Sequence, residues 1–393
     1  MRNITSDWIF PISSKPIKNG LVSVDESGEI IYVGEMDKTT DADLLEKYTG
    51  VICPGFVNTH CHLELSHLKE RIPEKVGMTD FLFKVMLERE RKEAEILSNI
   101  KDKEKEMIDN GIVAVVDIVN TDFTFAQKAK KNIYYYTFVE VFGFDPRLAY
   151  TRYTEGVELK WKFNEMKIGS GSLTPHATYS LSDDLFKMVM NDLPSPNNYT
   201  IHNQESWEED EFFRTKSGGF TEFYDSLGIK TDHFTATGKS PLQSILRYFN
   251  REDKLLLVHN TFTNKEDIEF IKESDIDVWW SFCPKANLYI TNKLPDFKIF
   301  KSEDDKITIG TDSLASNDTL SILEELKIIR REEKSIDFQN LLKWATLNGA
   351  KYLGVDEKFG SIVKGKHPGL NLIEDIDQDP VNLTQSSRVK VLC

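Results

Sequence analysis

Apolar residues cluster in short continuous runs, separated by longer charged stretches. From about residue 51 the runs are Val51–Asn58, Ile112–Val119, Ile133–Val141, Lys167–Leu173, Tyr199–His202, Leu255–His259, Asp277–Phe282 and Lys306–Asp312. Most lack polar alternation, as expected for strands of a buried parallel sheet. The fourth run, rich in Gly and Ser, carries the weakest signal. The stretches between the runs favour helix. Ser182 stands before Asp183-Asp-Leu-Phe-Lys-Met-Val-Met190 as a capping residue stands before a helix. The charged run 88–95, inside Glu88–Leu97, reads as the solvated face of a helix. Eight strand–helix units predict an α/β fold of the (β/α)8 type, a TIM barrel.

The two ends follow a different pattern. Trp8–Pro11, Gly20–Val24 and Glu29–Val33 are β-rich, with a turn over Asp25–Gly28. The tail turns β-like again over Phe359–Lys366, Leu370–Ile373 and Val389–Leu392. Chain ends commonly lie near each other, so both are predicted to build one small discontinuous β-sandwich. The expected division is 1–52 and 355–393 for the sandwich and 53–354 for the barrel.

Composition narrows the function classes. The 393 residues carry 49 Lys+Arg against 64 Asp+Glu, a formal charge of −15. That balance lacks the basic footprint of a nucleic-acid binder and disfavours anionic membrane surfaces. No run approaches the roughly 18 apolar residues of a membrane span, and the first twenty residues hold no apolar signal core. Cys53, Cys61, Cys283 and Cys393 form neither a metal-type pair nor a disulfide framework. A cytoplasmic protein is expected. Its expected partners are a small-molecule substrate and, in a homodimer, a second copy of the chain.

The candidate chemistry sits at the carboxyl ends of the predicted strands, where barrels of this kind place their active sites. His60 and His62, spaced i, i+2 at the end of the first run, project the same way from a strand. His176 follows the fourth run, His202 ends the fifth with Glu205 three residues on, His259 ends the sixth, and Asp312 ends the eighth. Five of the eight histidines thus fall at strand ends, with His67 marginal; chance would place one or two. His60, His62, His202 and Asp312 offer three nitrogens and one oxygen, a set suited to one divalent metal, zinc first and ferrous iron second. Such a metal brings the pKa of its water from about 15.7 towards 7 and makes hydroxide available. Glu205 is placed to move the water's proton to the leaving group. His259 would stabilise the developing charge, and Asp312 would accept a hydrogen bond from the water besides binding metal.

Pro54-Gly-Phe-Val-Asn-Thr-His60-Cys-His62, Ile201-His-Asn-Gln-Glu205-Ser, Leu257-Val-His259-Asn, Cys283-Pro-Lys-Ala-Asn-Leu288 and Ile309-Gly-Thr-Asp312-Ser-Leu-Ala-Ser-Asn317 stand in order along nearly the whole chain. The set resembles the motifs of the amidohydrolase superfamily, in its mononuclear aminohydrolase branch of guanine, cytosine and S-adenosylhomocysteine deaminases and triazine chlorohydrolases. The resemblance implies a barrel with an appended β-sandwich. It also implies His60, His62, His202 and Asp312 as ligands, Glu205 as proton shuttle and His259 as transition-state stabiliser. Binuclear relatives carry a modified lysine at the end of the fourth strand. Here that end reads Ser172-Leu-Thr-Pro-His176, and Lys167 lies at the other end, so one metal is expected. His176 in His-Ala-Thr-Tyr-Ser resembles a substrate contact. Leu63-Glu64-Leu65-Ser66 resembles aminodeoxyfutalosine deaminases, which makes Glu64 a substrate candidate; Glu140, ending the third run, is another. The tail departs from the family in reading Gly365-Lys-His-Pro-Gly-Leu370 without an aspartate.

Cys61, Trp279 and Trp280 read as core, and Trp207 as a residue near the pocket. The expected activity is hydrolytic deamination of a purine-type base or nucleoside. The alternatives are chloride or amide hydrolysis on the same fold, or a metal-bearing scaffold without catalysis.

Overall fold

The computed structural model describes residues 1–36, 45–193 and 195–393. Eight parallel strands form the centre: β1 (Phe56–Cys61), β2 (Ile112–Val119), β3 (Tyr134–Val141), β4 (Ser170–Pro175), β5 (Asn198–Asn203), β6 (Lys254–His259), β7 (Asp277–Phe282) and β8 (Ile307–Ile309). Hydrogen bonding runs continuously through β1-β2-β3-β4 and through β5-β6-β7-β8. Two seams close the ring. Between β4 and β5, Ala177 bridges His202 and the His202 amide donates to the His176 carbonyl at 2.9 Å. Between β8 and β1, the Thr311 and Asp312 amides both donate to the His60 carbonyl at 3.0 Å, and the Thr59 hydroxyl donates to the Ile309 carbonyl at 3.0 Å. The result is the α/β barrel that the eight runs predicted. Trp280 is fully buried and Trp279 nearly so, as expected of a barrel wall.

Several strand limits differ from the sequence reading. Val51–Pro54 does not continue β1. It pairs antiparallel with Leu370–Glu374 and parallel with Trp8–Ile9, in a sheet of terminal strands. The change of sheet takes place at the Pro54-Gly55 pair, inside a stretch that reads as one strand because apolar residues flank the pair on both sides. The fourth strand lies at Ser170–Pro175 rather than Lys167–Leu173, because Lys167 adopts a left-handed backbone (φ 51°) that starts the turn before it. β8 stops at Ile309; Gly310 to Asp312 leave strand geometry, and Asp312 sits at φ 58°.

The charged run 88–95 straddles a break rather than one helix. Met78–Glu88 ends, and a new helix begins at Glu93. Ser182 caps Asp183–Met190 as expected, its hydroxyl accepting from the Leu185 amide.

The termini build a two-stranded hairpin, Asp377–Gln378 with Val381–Asn382, and two small sheets. One runs Arg388–Val391, Leu370–Glu374, Val51–Pro54, Trp8–Ile9, Ile17–Lys18; the other runs Ile30–Glu35, Gly20–Val24, Arg2–Thr5, Leu45–Lys47. Between them Ile4, Ile9, Val22, Ile52, Leu370 and Leu372 form an apolar core of their own. Phe359–Lys366 is not a strand. It crosses the end of this unit in turns, tied by Ile362 N to the Pro11 carbonyl and Gly365 N to the Ile30 carbonyl.

Candidate active site

The ends of β1, β3, β4, β5, β6 and β8 contribute one or two polar side chains each, and the barrel's closure brings them together. His60 lies on β1 and His62 one residue beyond it; their Nε2 atoms are 3.2 Å apart. His202, on β5, brings its Nε2 to 3.3 Å from that of His62. Asp312 Oδ1 stands 3.6 Å from His60 Nε2 and 3.7 Å from His62 Nε2. All four residues are buried.

These spacings are those of donors around one shared ion. Tetrahedral zinc with bonds of about 2.0–2.1 Å places its ligand atoms roughly 3.3–3.4 Å apart. Proton chemistry makes the same point. His202 Nδ1 donates to the His176 carbonyl at 2.6 Å, so in the neutral ring Nε2 carries a bare lone pair. Burial keeps that ring neutral, with its pKa pushed down to about 4. Burial lowers His60 and takes His62 well below the ordinary value. Asp312 is pushed up by burial, but the surrounding imidazoles outweigh this and hold its carboxyl well below the usual range. Several lone pairs thus face one another across about 3 Å next to a carboxylate, an arrangement that a divalent cation satisfies.

The positions of these groups are fixed from behind. Ser316 Oγ donates to Asp312 Oδ2 at 2.6 Å, leaving Oδ1 to face the imidazoles. His259 ends β6 at φ 71°, and its Nδ1 lies 2.8 Å from Asn287 Oδ1, which turns Nε2 towards Glu205 Oε1 at 3.4 Å. Asn287 and Ser316 both lie inside stretches singled out in the sequence, but only their place behind His259 and Asp312 shows what they do.

Glu205 follows Gln204, another non-glycine residue with a left-handed backbone (φ 46°). The Glu209 carboxylate holds this turn, accepting from the Gln204 amide at 3.0 Å and the Glu205 amide at 2.8 Å. Left-handed residues of this kind survive where their surroundings over-determine them. Burial, then the charges of Asp312 and Glu209, raise the Glu205 carboxyl well above its ordinary value.

A cavity of about 320 Å³ reaches the metal-site donors at His62, with His176 and Glu140 also on its polar side and Tyr179, Phe142 and Phe144 on its apolar wall. His176 begins just past β4, and its Nδ1 is 2.9 Å from Ser180 Oγ. Glu140 lies 3.6 Å from His202 Nδ1 and accepts from Asn120 Nδ2; burial lifts its carboxyl to about 8.

Glu64 is placed differently from the other two substrate candidates. Its carboxylate accepts from the Asn120 amide, the Thr121 amide and the Thr121 hydroxyl, and stands 3.7 Å from Arg89. Both oxygens are therefore committed to the loop after β2, and it is Asn120 and Arg89 that reach the cavity wall. Arg152 also lines it. Neither arginine stood out in the sequence, since only the helix break at Arg89 and the packing of the helix that carries Arg152 turn them inward. Trp207 is 55% exposed and lies away from the cavity wall. Cys61 is fully buried. β4 carries no lysine, and Lys167 is exposed.

Comparison with known proteins agrees with this geometry. The sequence model of the amidohydrolase family matches residues 51–392. A 5-methylthioadenosine/S-adenosylhomocysteine deaminase of Thermodesulfovibrio yellowstonii is 26% identical, over 91% of this chain and 81% of that protein. Among solved structures, Helicobacter pylori aminofutalosine deaminase in complex with methylthio-coformycin superposes with a TM-score of 0.79 at 20% identity, covering 98% of this chain and 94% of that one. A zinc-bound adenosine deaminase of Xanthomonas campestris gives a TM-score of 0.72 at 21% identity, covering 95% and 84%.

Proposed function

Because this chain belongs to the amidohydrolase family, we propose that it is a metal-dependent deaminase, which replaces the exocyclic amine of a purine-type base or nucleoside by oxygen and releases ammonia. The convergence of His60, His62, His202 and Asp312 beside the Glu205–His259 pair carries the reading. The deaminase relative from T. yellowstonii supports the same class of bond. One ion, zinc in this reading, is favoured by the three-nitrogen, one-oxygen donor set and by the zinc of the X. campestris structure. When bound, it acts as a Lewis acid that lowers the pKa of water from about 15.7 towards 7.

The side chains then divide the proton work. Glu205 relays the two protons of the attacking water in turn, the first to the ring nitrogen and the second to the departing amine, so that water and substrate become the oxo-substituted ring and ammonia. A carboxyl with raised proton affinity suits this, because it can hold a proton between the two transfers. His259 is pinned through Nδ1 on Asn287 and is neutral at rest, its pKa pushed down to about 4 by burial; its bare Nε2 faces Glu205, and it steadies the developing charge once it has taken up a proton there. Asp312 orients the attacking water through an oxygen not used by Ser316. His176 and Glu140 contact the substrate from the cavity wall. Glu64 acts at one remove, by holding Asn120 and Thr121 in place. No helix among the described residues is long and apolar enough to cross a membrane. The four free cysteines suit a reducing compartment, and on that ground we place the enzyme in the cytoplasm.

Metal-loaded protein should be assayed on adenosine, guanine and aminodeoxyfutalosine-type compounds for ammonia and for the ultraviolet change of the ring. One ammonia released per substrate consumed is expected. Chloride or a carboxylate as the released product, without ammonia, would move the reading to the rival hydrolases.

A further inference from the structure

Beside the proposed metal site lies a charged pair that the mechanism above does not use. Asp117, on β2, and Lys128, at the end of the short helix Phe125–Lys128, meet at 2.6 Å, and both side chains are wholly excluded from water. Lys128 Nζ also donates to Thr137 Oγ1 at 2.9 Å and faces the rings of Tyr135 and Phe163 at 5.3 and 5.8 Å. Such a pair is a poor source of stability. Desolvation costs several kcal/mol per ion, and well-packed apolar replacements are often neutral or stabilising. Its use must be sought in what it holds.

Asp117 Oδ1 accepts from the Leu63 amide at 2.9 Å. Leu63 opens the 3-10 helix Leu63–Leu68, whose first amides have no partner within the helix, and the residue before it, His62, provides no side-chain cap. Asp117 therefore caps this helix from another strand, at the peptide that joins His62 to Leu63. The other three donors of the site are held separately. His202 is held through Nδ1 on the His176 carbonyl, Asp312 through Ser316, and His60 through its backbone carbonyl on Thr311 and Asp312. His62 lies past the end of β1; its carbonyl accepts from the Leu65 amide at 3.0 Å, within the same 3-10 helix, and as with His60 no hydrogen bond among the described residues reaches its Nδ1, so the peptide that Asp117 caps is its tie to another strand.

We propose that Asp117 is a positioning residue for the metal site: it fixes the His62–Leu63 peptide so that His62 Nε2 points at the other donors, while Lys128 holds the carboxylate in place. This rests on the metal-binding reading above. Two double variants isolate the acceptor from the charge. Asp117→Asn with Lys128→Met keeps an acceptor oxygen for the Leu63 amide, and Asp117→Leu with Lys128→Met removes it; neither leaves a buried charge unpaired. Zinc affinity is measured by competition with a chromophoric chelator, alongside Tm of the metal-free proteins.

At matched Tm, the Leu variant should bind zinc 10- to 100-fold more weakly than the Asn variant, the range found for groups that orient metal ligands. Equal affinities would overturn the proposal. Should either variant fail to fold, amide exchange of Leu63 in the metal-free wild type decides: protection like that of the β1 amides supports a preset peptide, and fast exchange overturns it. A wild type that holds no zinc would overturn the metal reading itself, an outcome distinct from equal affinities in two zinc-binding variants.

Discussion

Glu205 and Glu140 are both carboxyls pushed towards the protonated form by burial, yet they stand in different company. Glu205 faces His259 across 3.4 Å, whereas Glu140 faces the cavity and Asn120. For Glu140 the consequence can be read as stability. Its folded value is raised to about 8 from 4.5. The native state therefore keeps a proton that the unfolded chain has lost, and this contribution is present below about pH 4.5 and fades as pH rises to about 8. In metal-free protein, the Tm advantage of wild type over Glu140→Gln should shrink steadily between pH 5 and pH 8 and level off above; a pH-independent difference would contradict the assignment.

Ser316 offers a second check at this scale. It donates to the oxygen of Asp312 that does not face the histidines. Ser316→Ala should weaken zinc binding about 10- to 100-fold, the range for groups that orient metal ligands, and should lower the Tm of the metal-free protein, because it leaves a buried oxygen of Asp312 without its donor.

At the level of elements, the site depends on how strands end. His60, His202 and His259 were legible in the sequence because apolar runs finish on them, and His-x-His at a strand end has few structural uses. Asp312 was legible in the same way, as the end of the run Lys306–Asp312, although β8 itself stops three residues earlier. What the sequence hid were side chains brought in by backbone breaks, such as Arg89 between two helices. The switch of sheet was marked by the Pro54-Gly55 pair, a turn signal, but burial in either sheet demands the same apolar residues, and the two strands read as one run. Glu64 was visible as a charged residue beside the ligands, but not that three donors of the β2 loop would take up its oxygens.

The seam between β8 and β1 is tight. A Cβ on Gly310 would stand 2.7 Å from His60 Cβ and 3.0 Å from Cys283 Sγ. Gly310→Ala should therefore cost about 1–3 kcal/mol by overpacking, read in urea unfolding. It should also lower bound metal, because the neighbour that must yield is a ligand.

For the whole molecule, the barrel lies in the chain between the two halves of the terminal sheets, and Val51–Pro54 of one sheet runs straight into β1. The ion itself should bind the folded chain and not the unfolded one. Free metal at a thousand times its dissociation constant would then stabilise by about 4 kcal/mol. Chelation should lower Tm by several degrees, and adding zinc should restore it.

The central claim is that a buried glutamate beside a metal site moves the proton that turns an amine into ammonia. Wild type and Glu205→Gln, each carrying one zinc per chain by elemental analysis, should be compared for ammonia release on the best nucleoside substrate. The expected result is a loss of about 10²- to 10⁴-fold in kcat, the usual contribution of a general acid–base group, with zinc content unchanged. Ammonia release at the wild-type rate from the zinc-loaded Glu205→Gln protein would contradict the account.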